Sequence, residues 1–189
     1  MTLGVILAGG NSRRMGVDKA LVETAGRPMV EWVAAALGRV CDKTVVVGRE
    51  GQLAGLPCLP DTQARVRGPL AGLSTALLAA NGADVLMVAV DQPFVRPETL
   101  QRLIDLQCAA VPIDGARQVT CAAYPASWVG DVADEIAFEG SIQSLLDRLA
   151  HRRVEASEWR AWGEDGRSWF SVDTQETMAE GLARYGAPG

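Results

Sequence analysis

Apolar residues fall along the chain in two alternating kinds of run. Continuous apolar stretches cover residues 3–8, 44–47, 85–90 and 119–123, with weaker ones at 109–113 and 169–172. Unbroken runs of this length predict strands buried on both faces, as in a parallel sheet covered by helices. Between them the apolar positions take helical spacing. Val30, Val33, Ala34 and Leu37 follow the i, i+3, i+4, i+7 pattern, and Ile142, Leu145, Leu146 and Leu149 repeat it behind Ser141, which suits an N-cap. Met178, Gly181, Leu182 and Tyr185 make a last helical face, opened by Thr174 and stopped by Gly186. Leu70, Leu73 and Leu77 predict a helix after Gly68-Pro69, and Pro97 suits the first turn of another that carries Leu100, Leu103 and Ile104. Residues 151–167 are polar without a clear period and read as a connection before the last strand. Residues 188–189 read as a frayed end.

Strands alternating with helices predict an α/β fold: a single Rossmann-like three-layer domain with a mainly parallel sheet, spanning residues 1–187. A chain of 189 residues is long enough to bury a sizeable core in one domain.

Composition narrows the partners. The chain is 48% apolar and 22% charged, with a net charge of −5. An acidic balance argues against binding nucleic acid or an anionic membrane surface, so any phosphate must be held by a few placed groups. No stretch approaches the ~20 apolar residues that span a bilayer. The N-terminus has no basic region and its apolar run breaks at Gly9-Gly10, so a cytoplasmic location is expected. The four cysteines form no Cys-x-x-Cys pair and His151 is the only histidine, which gives zinc sites and Cys/His nucleophile pairs little support. Scattered cysteines suit a reducing compartment as small core residues. The five tryptophans read as packing residues. Arg148, Arg152, Arg153 and His151 read as a solvated helix end or, alternatively, as a contact for a phosphate-bearing ligand.

Two places carry candidate chemistry. The first strand runs into Leu7-Ala8-Gly9-Gly10-Asn11-Ser12-Arg13-Arg14-Met15-Gly16-Val17-Asp18-Lys19. In open α/β sheets ligands bind beyond the C-terminal ends of the strands. Glycines let a backbone approach a phosphate, and Arg13, Arg14 and Lys19 supply cations for it. Neither Gly-x-Gly-x-x-Gly nor Gly-x-x-x-x-Gly-Lys-Ser/Thr is present, which excludes two common phosphate loops. The second place is Asp91, which ends the run 85–90 and begins Asp91-Gln92-Pro93. A carboxylate there lies on the ligand side of the sheet and suits Mg²⁺, although Asp before proline also starts turns.

The N-terminal segment resembles the signature of the molybdenum cofactor guanylyltransferase (MobA) family, Leu-Ala-Gly-Gly-x-Ser-x-Arg-Met-Gly-x-Asp-Lys, at every fixed position from Leu7 to Lys19. Gly26-Arg27-Pro28-Met29 resembles the family's Gly-x-Pro-Leu at the start of the first helix. Asp91-x-Pro93 resembles its metal-binding Asp-x-Pro. Asp61 with Gly68-Pro69-Leu70-Ala71-Gly72 resembles the Asp and Gly-Pro-Leu-Ala-Gly that help form the guanine pocket. Close cytidylyltransferases tend to carry Leu-Ala-Ala-Gly, so Gly9 favours guanine by the same resemblance. Departures are Gly48, where some members carry a nucleotide-contacting asparagine, and Phe170-Ser171-Val172-Asp173-Thr174-Gln175-Glu176, where Ser171, Asp173 and Gln175 replace Asn, Asn and Pro.

The resemblance implies a nucleotide-diphospho-sugar transferase-like fold, with residues 1–95 binding GTP and 96–187 binding the acceptor. It implies transfer of GMP from GTP to the phosphate of molybdopterin, with release of pyrophosphate. Catalytic residues would be Arg14, Lys19 and Asp91, with Asp91 holding Mg²⁺. GTP would contact Leu7, Ala8, Gly9, Gly10, Lys19, Asp61, Gly68 and Asp91. Protein partners would be molybdenum-insertase or molybdoenzyme chaperone proteins. An ionised acceptor phosphate needs no general base, which fits a chain with one histidine. The alternatives are a molybdopterin cytidylyltransferase, a sugar-phosphate nucleotidyltransferase and, of another class, an inert nucleotide-binding or chaperone module.

Overall fold

The computed structural model describes residues 1–9, 18–61 and 68–189. Its strands, in chain order, are β1 (Thr2–Leu7), β2 (Glu23–Thr24), β3 (Arg27–Pro28), β4 (Lys43–Val47), β5 (Gln52–Leu53), β6 (Leu56–Leu59), β7 (Asp84–Ala89), β8 (Ala110–Asp114), β9 (Ala116–Arg117), β10 (Cys121–Tyr124) and β11 (Arg152–Val154). The helices are α1 (Met29–Gly38), α2 (Pro69–Ala80), α3 (Pro97–Asp105), α4 (Val129–Ala137), α5 (Ile142–Arg148), α6 (Ala156–Ala161) and α7 (Gln175–Tyr185).

One sheet runs β11-β8-β10-β7-β1-β4-β6-β5, with β9 hairpinned onto β8. The pairs β1–β4, β1–β7, β4–β6 and β8–β11 are parallel. β10 runs against both β7 and β8. The central β1 is flanked by β4 on one side and β7 on the other, so the chain winds outward from β1 and then returns to start again across it. That reversal opens a crevice at the C-terminal ends of β1, β4 and β7.

Helices cover both faces, which makes three layers. On one face Leu70, Leu73 and Leu77 of α2, Val132 and Ile136 of α4, and Leu145 and Leu146 of α5 bury Val5, Val85 and Met87. On the other, Val30, Val33 and Leu37 of α1, Leu100 and Leu103 of α3 and Trp159 of α6 bury Ile6, Leu86 and Val88. A smaller cluster joins Met29, Phe94, Phe170 and Val172 to Met178, Leu182 and Tyr185 of α7. There Gly181 lets α7 sit directly on Phe94, whose Cε2 lies 2.5 Å from where a Cβ would stand. The caps expected at Ser141 and Thr174 both form, each as a reciprocal capping box.

Three expectations need correction. Residues 169–172 form no strand: Arg167–Trp169 is a 3₁₀ turn, and Phe170 and Val172 bury against Phe94 instead of a sheet neighbour. Residues 151–167 are more than a connection, since they hold β11 and α6. Trp159 anchors α6 by donating its indole N–H to the Ile113 carbonyl at 3.0 Å. The chain end is not frayed throughout, because Pro188 is buried. The arginine cluster stays in ion pairs, Arg148 with Glu135, Arg152 with Glu158 and Arg153 with Glu155. Among the described residues no helix is long and apolar enough to cross a membrane.

Candidate active site

The crevice is built from three chain segments. The first is the end of β1. Ala8 donates its N–H to the Val47 carbonyl at 2.9 Å, and the Leu7 carbonyl accepts from Val90 at 3.0 Å. These bonds prolong the sheet one residue past the strand. They occupy the Leu7 carbonyl and the Ala8 amide, which leaves Gly9 as the first main-chain unit beyond the ladder. Gly9 packs against Gly48 at the end of β4. A Cβ on Gly48 would lie 2.3 Å from the Gly9 Cα, and Gly48 has φ +100. No side chain fits there, and the asparagine of some relatives is excluded by geometry as well as by identity. The Asp61 carboxylate closes this corner, 3.2 Å from where a Cβ on Gly9 would stand. Partial desolvation beside the Gly9 and Gly48 backbone raises the Asp61 carboxyl pKa.

The second segment carries Lys19. Asp18 caps a 3₁₀ turn over Lys19–Leu21, accepting from the Ala20 N–H at 3.1 Å, and its other oxygen accepts from Arg49 Nη2 at 2.5 Å. Ala20 is buried beneath the turn. The backbone under Lys19 is therefore fixed, and its ammonium reaches across to the third segment.

That segment is a pair of carboxylates. Asp91 follows β7, where Gln92 is locked by accepting from the Ala89 N–H at 3.1 Å and donating to Thr120 Oγ1 at 3.4 Å. Asp173 follows the turn at Arg167–Trp169. The two are tied by the backbone, since the Val172 N–H donates to the Asp91 carbonyl at 2.7 Å. Lys19 Nζ donates to Asp173 Oδ1 and stands 3.7 Å from Asp91 Oδ2. The Ser171 hydroxyl lies between, 3.4 Å from Asp173 Oδ2. Burial raises the Asp91 pKa; the Lys19 charge and the Ser171 hydrogen bond pull it down, and the Asp173 charge pushes it up again.

Of the residues expected in the site, the structure brings Lys19 and Asp91 into contact and places Gly9 beside Asp61. Gly68 opens α2 with φ +92, and no described residue lies within 4 Å of its Cβ position. Gly72 instead serves packing, because a Cβ there would meet the Leu7 Cδ2 at 2.5 Å. Gly10, Arg13, Arg14 and Gly16 lie outside the described residues, as does Arg67. Two further residues matter that sequence patterns do not flag. Arg49 holds Asp18, and Glu164 is a buried carboxylate that orders the approach to Asp173. Glu164 accepts from Thr99 Oγ1 at 2.5 Å, from the Asp165, Gly166 and Ser168 N–H groups at 3.0, 2.8 and 3.3 Å, and from the Ser168 hydroxyl. A polar residue inside a polar stretch carries no periodic signal that could have found it. A small cavity lined by Thr2, Asp84, Leu103 and Pro125 sits at the opposite end of β1 and β7 and is not part of the site.

A doubly wound sheet whose switch point brings together the apposed glycines Gly9 and Gly48, a lysine and two carboxylates defines an α/β enzyme of the nucleotidyltransferase class. The chain belongs to the family of MobA-like NTP transferase domains, whose model matches residues 4–155. It is 40% identical over 197 residues to the molybdenum cofactor guanylyltransferase of Cereibacter sphaeroides, covering 97% of this chain and 98% of that one. It is 42% identical over 185 residues to the probable molybdenum cofactor guanylyltransferase of Pelotomaculum thermopropionicum, covering 94% and 90%. Its fold is similar to the crystal structure of the molybdopterin-guanine dinucleotide biosynthesis protein A of Archaeoglobus fulgidus. The TM-score is 0.80 at 25% identity, over 96% of each chain.

Proposed function

We propose that this chain transfers the guanylyl group of GTP to the phosphate of molybdopterin, releasing pyrophosphate and giving the guanine dinucleotide form of the cofactor. The observation that carries the reading is the convergence of Lys19, Asp91 and Asp173 at the switch point, in a chain whose relatives bear the name of that activity.

Guanine would sit at the Gly9, Gly48 and Asp61 corner. The close backbone contact of the two glycines keeps Asp61 beside the end of β1, where it offers a carboxylate oxygen to the N–H edge of the base. The triphosphate would extend along the segment that ends in Lys19, with Arg14 and Lys19 stabilising the leaving pyrophosphate. The acceptor would approach from the 96–187 side, past Ser171 and Asp173. Its phosphate arrives ionised, so the protein's work is positioning and charge neutralisation. Hand-over of the product to molybdenum-insertase or molybdoenzyme chaperone proteins belongs to the same reading, as does a cytoplasmic location.

The donor set suits Mg²⁺. Two carboxylates face one cation position, and Mg²⁺ takes one or two carboxylates and fills its shell with water and phosphate oxygens. Asp91 and Asp173 would hold it. Bound there, the ion neutralises charge on the reacting phosphate and sets the line of attack.

Calorimetric titration with GTP and with CTP, each with Mg²⁺, tests the nucleotide half. The reading predicts tight GTP binding, weak CTP binding and loss of GTP binding in Lys19→Ala. A preference for CTP would replace it with the cytidylyltransferase reading, and binding of neither nucleotide would remove its support.

A further inference from the structure

The ammonium of Lys19 sits where a divalent cation would sit. Lys19 donates to Asp173 Oδ1, stands 3.7 Å from Asp91 Oδ2, and has a side chain only 14% exposed. Two carboxylates thus share one cation. The sum of these three charges is −1, an unfavourable surface for a triphosphate. The one lysine of the pocket is also engaged away from any phosphate.

We propose that Asp91 and Asp173 hold Lys19 as an internal counter-ion, and that Lys19 becomes free for the nucleotide only when a divalent cation takes over the two carboxylates. The proposal rests on the nucleotidyltransferase reading above and assigns Asp173 a positioning role within it. With the cation on the carboxylates and the lysine released, those three charges and the cation together sum to +1. Metal and nucleotide then bind together because one lysine side chain cannot satisfy both partners.

The backbone on both sides of the pair is held. The segments that carry the carboxylates are tied down by main-chain donors. Val172 N–H binds the Asp91 carbonyl at 2.7 Å, and the Asp173 and Thr174 N–H groups bind Thr177 Oγ1 at 3.0 Å each. The backbone beneath Lys19 is held by the Asp18 cap and by Arg49. The long four-carbon stem of Lys19 can swing without disturbing that backbone, and an ammonium has no preferred plane to preserve as it does so. Where this position is an asparagine, as in the family pattern, the lysine faces one carboxylate fewer. The charge of Asp173 is thus the feature that sets the strength of the hold in this chain.

The test uses Mn²⁺ alone as the probe, followed by electron paramagnetic resonance with no nucleotide present. Lys19→Met, which keeps the stem and removes the charge, is predicted to bind Mn²⁺ about tenfold more tightly than the wild type, since a competing cation is gone. Lys19→Gln provides a second variant with the same prediction. Asp173→Asn is predicted to bind Mn²⁺ more weakly. In EDTA, however, Asp173→Asn is predicted to bind GTP about tenfold more tightly than the wild type, a gain that disappears with Mg²⁺. A lysine that serves only the phosphate would leave Mn²⁺ affinity unchanged in both Lys19 variants, and that result overturns the proposal. Because the Mn²⁺ titrations contain no nucleotide, they decide the counter-ion exchange even if the wild type fails to bind GTP, an outcome that would instead sink the guanylyl transfer reading.

Discussion

The Val172 N–H reaches the Asp91 carbonyl at 2.7 Å, and this one backbone bond brings the carboxylates of Asp91 and Asp173 to the same ammonium. The bond joins the segment after β7 to the segment before α7, which are 81 residues apart by number (172 minus 91). The aromatic rings of Phe94, Phe170 and Tyr185 pack around it with centroids 5.5–6.1 Å apart. Part of the site is therefore assembled by tertiary packing and not by a local motif.

The pH dependence follows from Asp91. Its pKa is raised by burial, and it must be ionised to hold a cation. Metal binding is predicted to fail, as pH falls, at a higher pH than an unperturbed aspartate would set. Ser171→Ala removes a hydrogen bond to the ionised form, so the acid limb moves to higher pH. Asp173→Asn removes a like charge, so the limb moves lower. Mn²⁺ affinity measured against pH checks both directions, and a limb indifferent to both substitutions would assign the titration to another group.

Asp91 also bears on stability. A carboxyl whose folded pKa lies above its unfolded value is favoured in its protonated form. Its ionisation at neutral pH therefore costs stability, and the cost vanishes below the unfolded pKa. Asp91→Asn is predicted to raise Tm at pH 7 while abolishing transfer. The gain should shrink in acid. A Tm that falls at pH 7 would contradict this balance of burial against charge at Asp91.

Gly48 and Gly9 differ in what a methyl group would meet. On Gly48 it would strike backbone, 2.3 Å from Gly9 Cα and 2.4 Å from Gly9 N, at φ +100. Gly48→Ala is predicted to cost roughly 2 kcal/mol or more in urea melts. On Gly9 it would lie 2.9 Å from Gly48 Cα and 3.2 Å from the Asp61 carboxylate. Gly9→Ala is predicted to cost less stability but to weaken GTP binding about tenfold, the effect of ~1.4 kcal/mol of lost fit. Unchanged GTP affinity would remove this corner from the base site.

Glu164 is only 3% exposed, and both its oxygens are fully engaged. Glu164→Ala strands the Thr99 and Ser168 hydroxyls and three main-chain N–H groups. Its predicted cost is about 3 kcal/mol or more, read as a lowered denaturation midpoint. Glu164→Gln keeps one acceptor and turns an NH₂ toward donors, so it falls between. A Glu164→Ala protein as stable as wild type would mean the loop before Asp173 is held by its tryptophans alone.

Much of the fold was legible because the chemistry was local. The run at β1 is continuous because both faces are covered, and Ser141 and Thr174 announce helices that they do cap. The first half of the site was legible for the same reason, since Asp91 ends a buried run and Lys19 closes a contiguous motif. What escaped depends on distant partners. β11 buries only Val154 of its three residues, too little for a pattern. Residues 169–172 are apolar enough for a strand, yet Phe170 and Val172 serve the Phe94 cluster, and nothing local distinguishes the two uses. Arg49 and Glu164 matter through hydrogen bonds to residues 31 and 65 positions away, Asp18 and Thr99.

Guanylyl transfer can be read directly from its products. The protein is incubated with Mg²⁺, molybdopterin and either GTP or CTP, and products are read by mass spectrometry alongside released pyrophosphate. The site as assigned predicts the guanine dinucleotide product and pyrophosphate in equal amounts from GTP, little from CTP, and neither from Lys19→Ala or Asp91→Asn. A folded protein that forms no guanine dinucleotide, or that forms the cytosine product in preference, would contradict it.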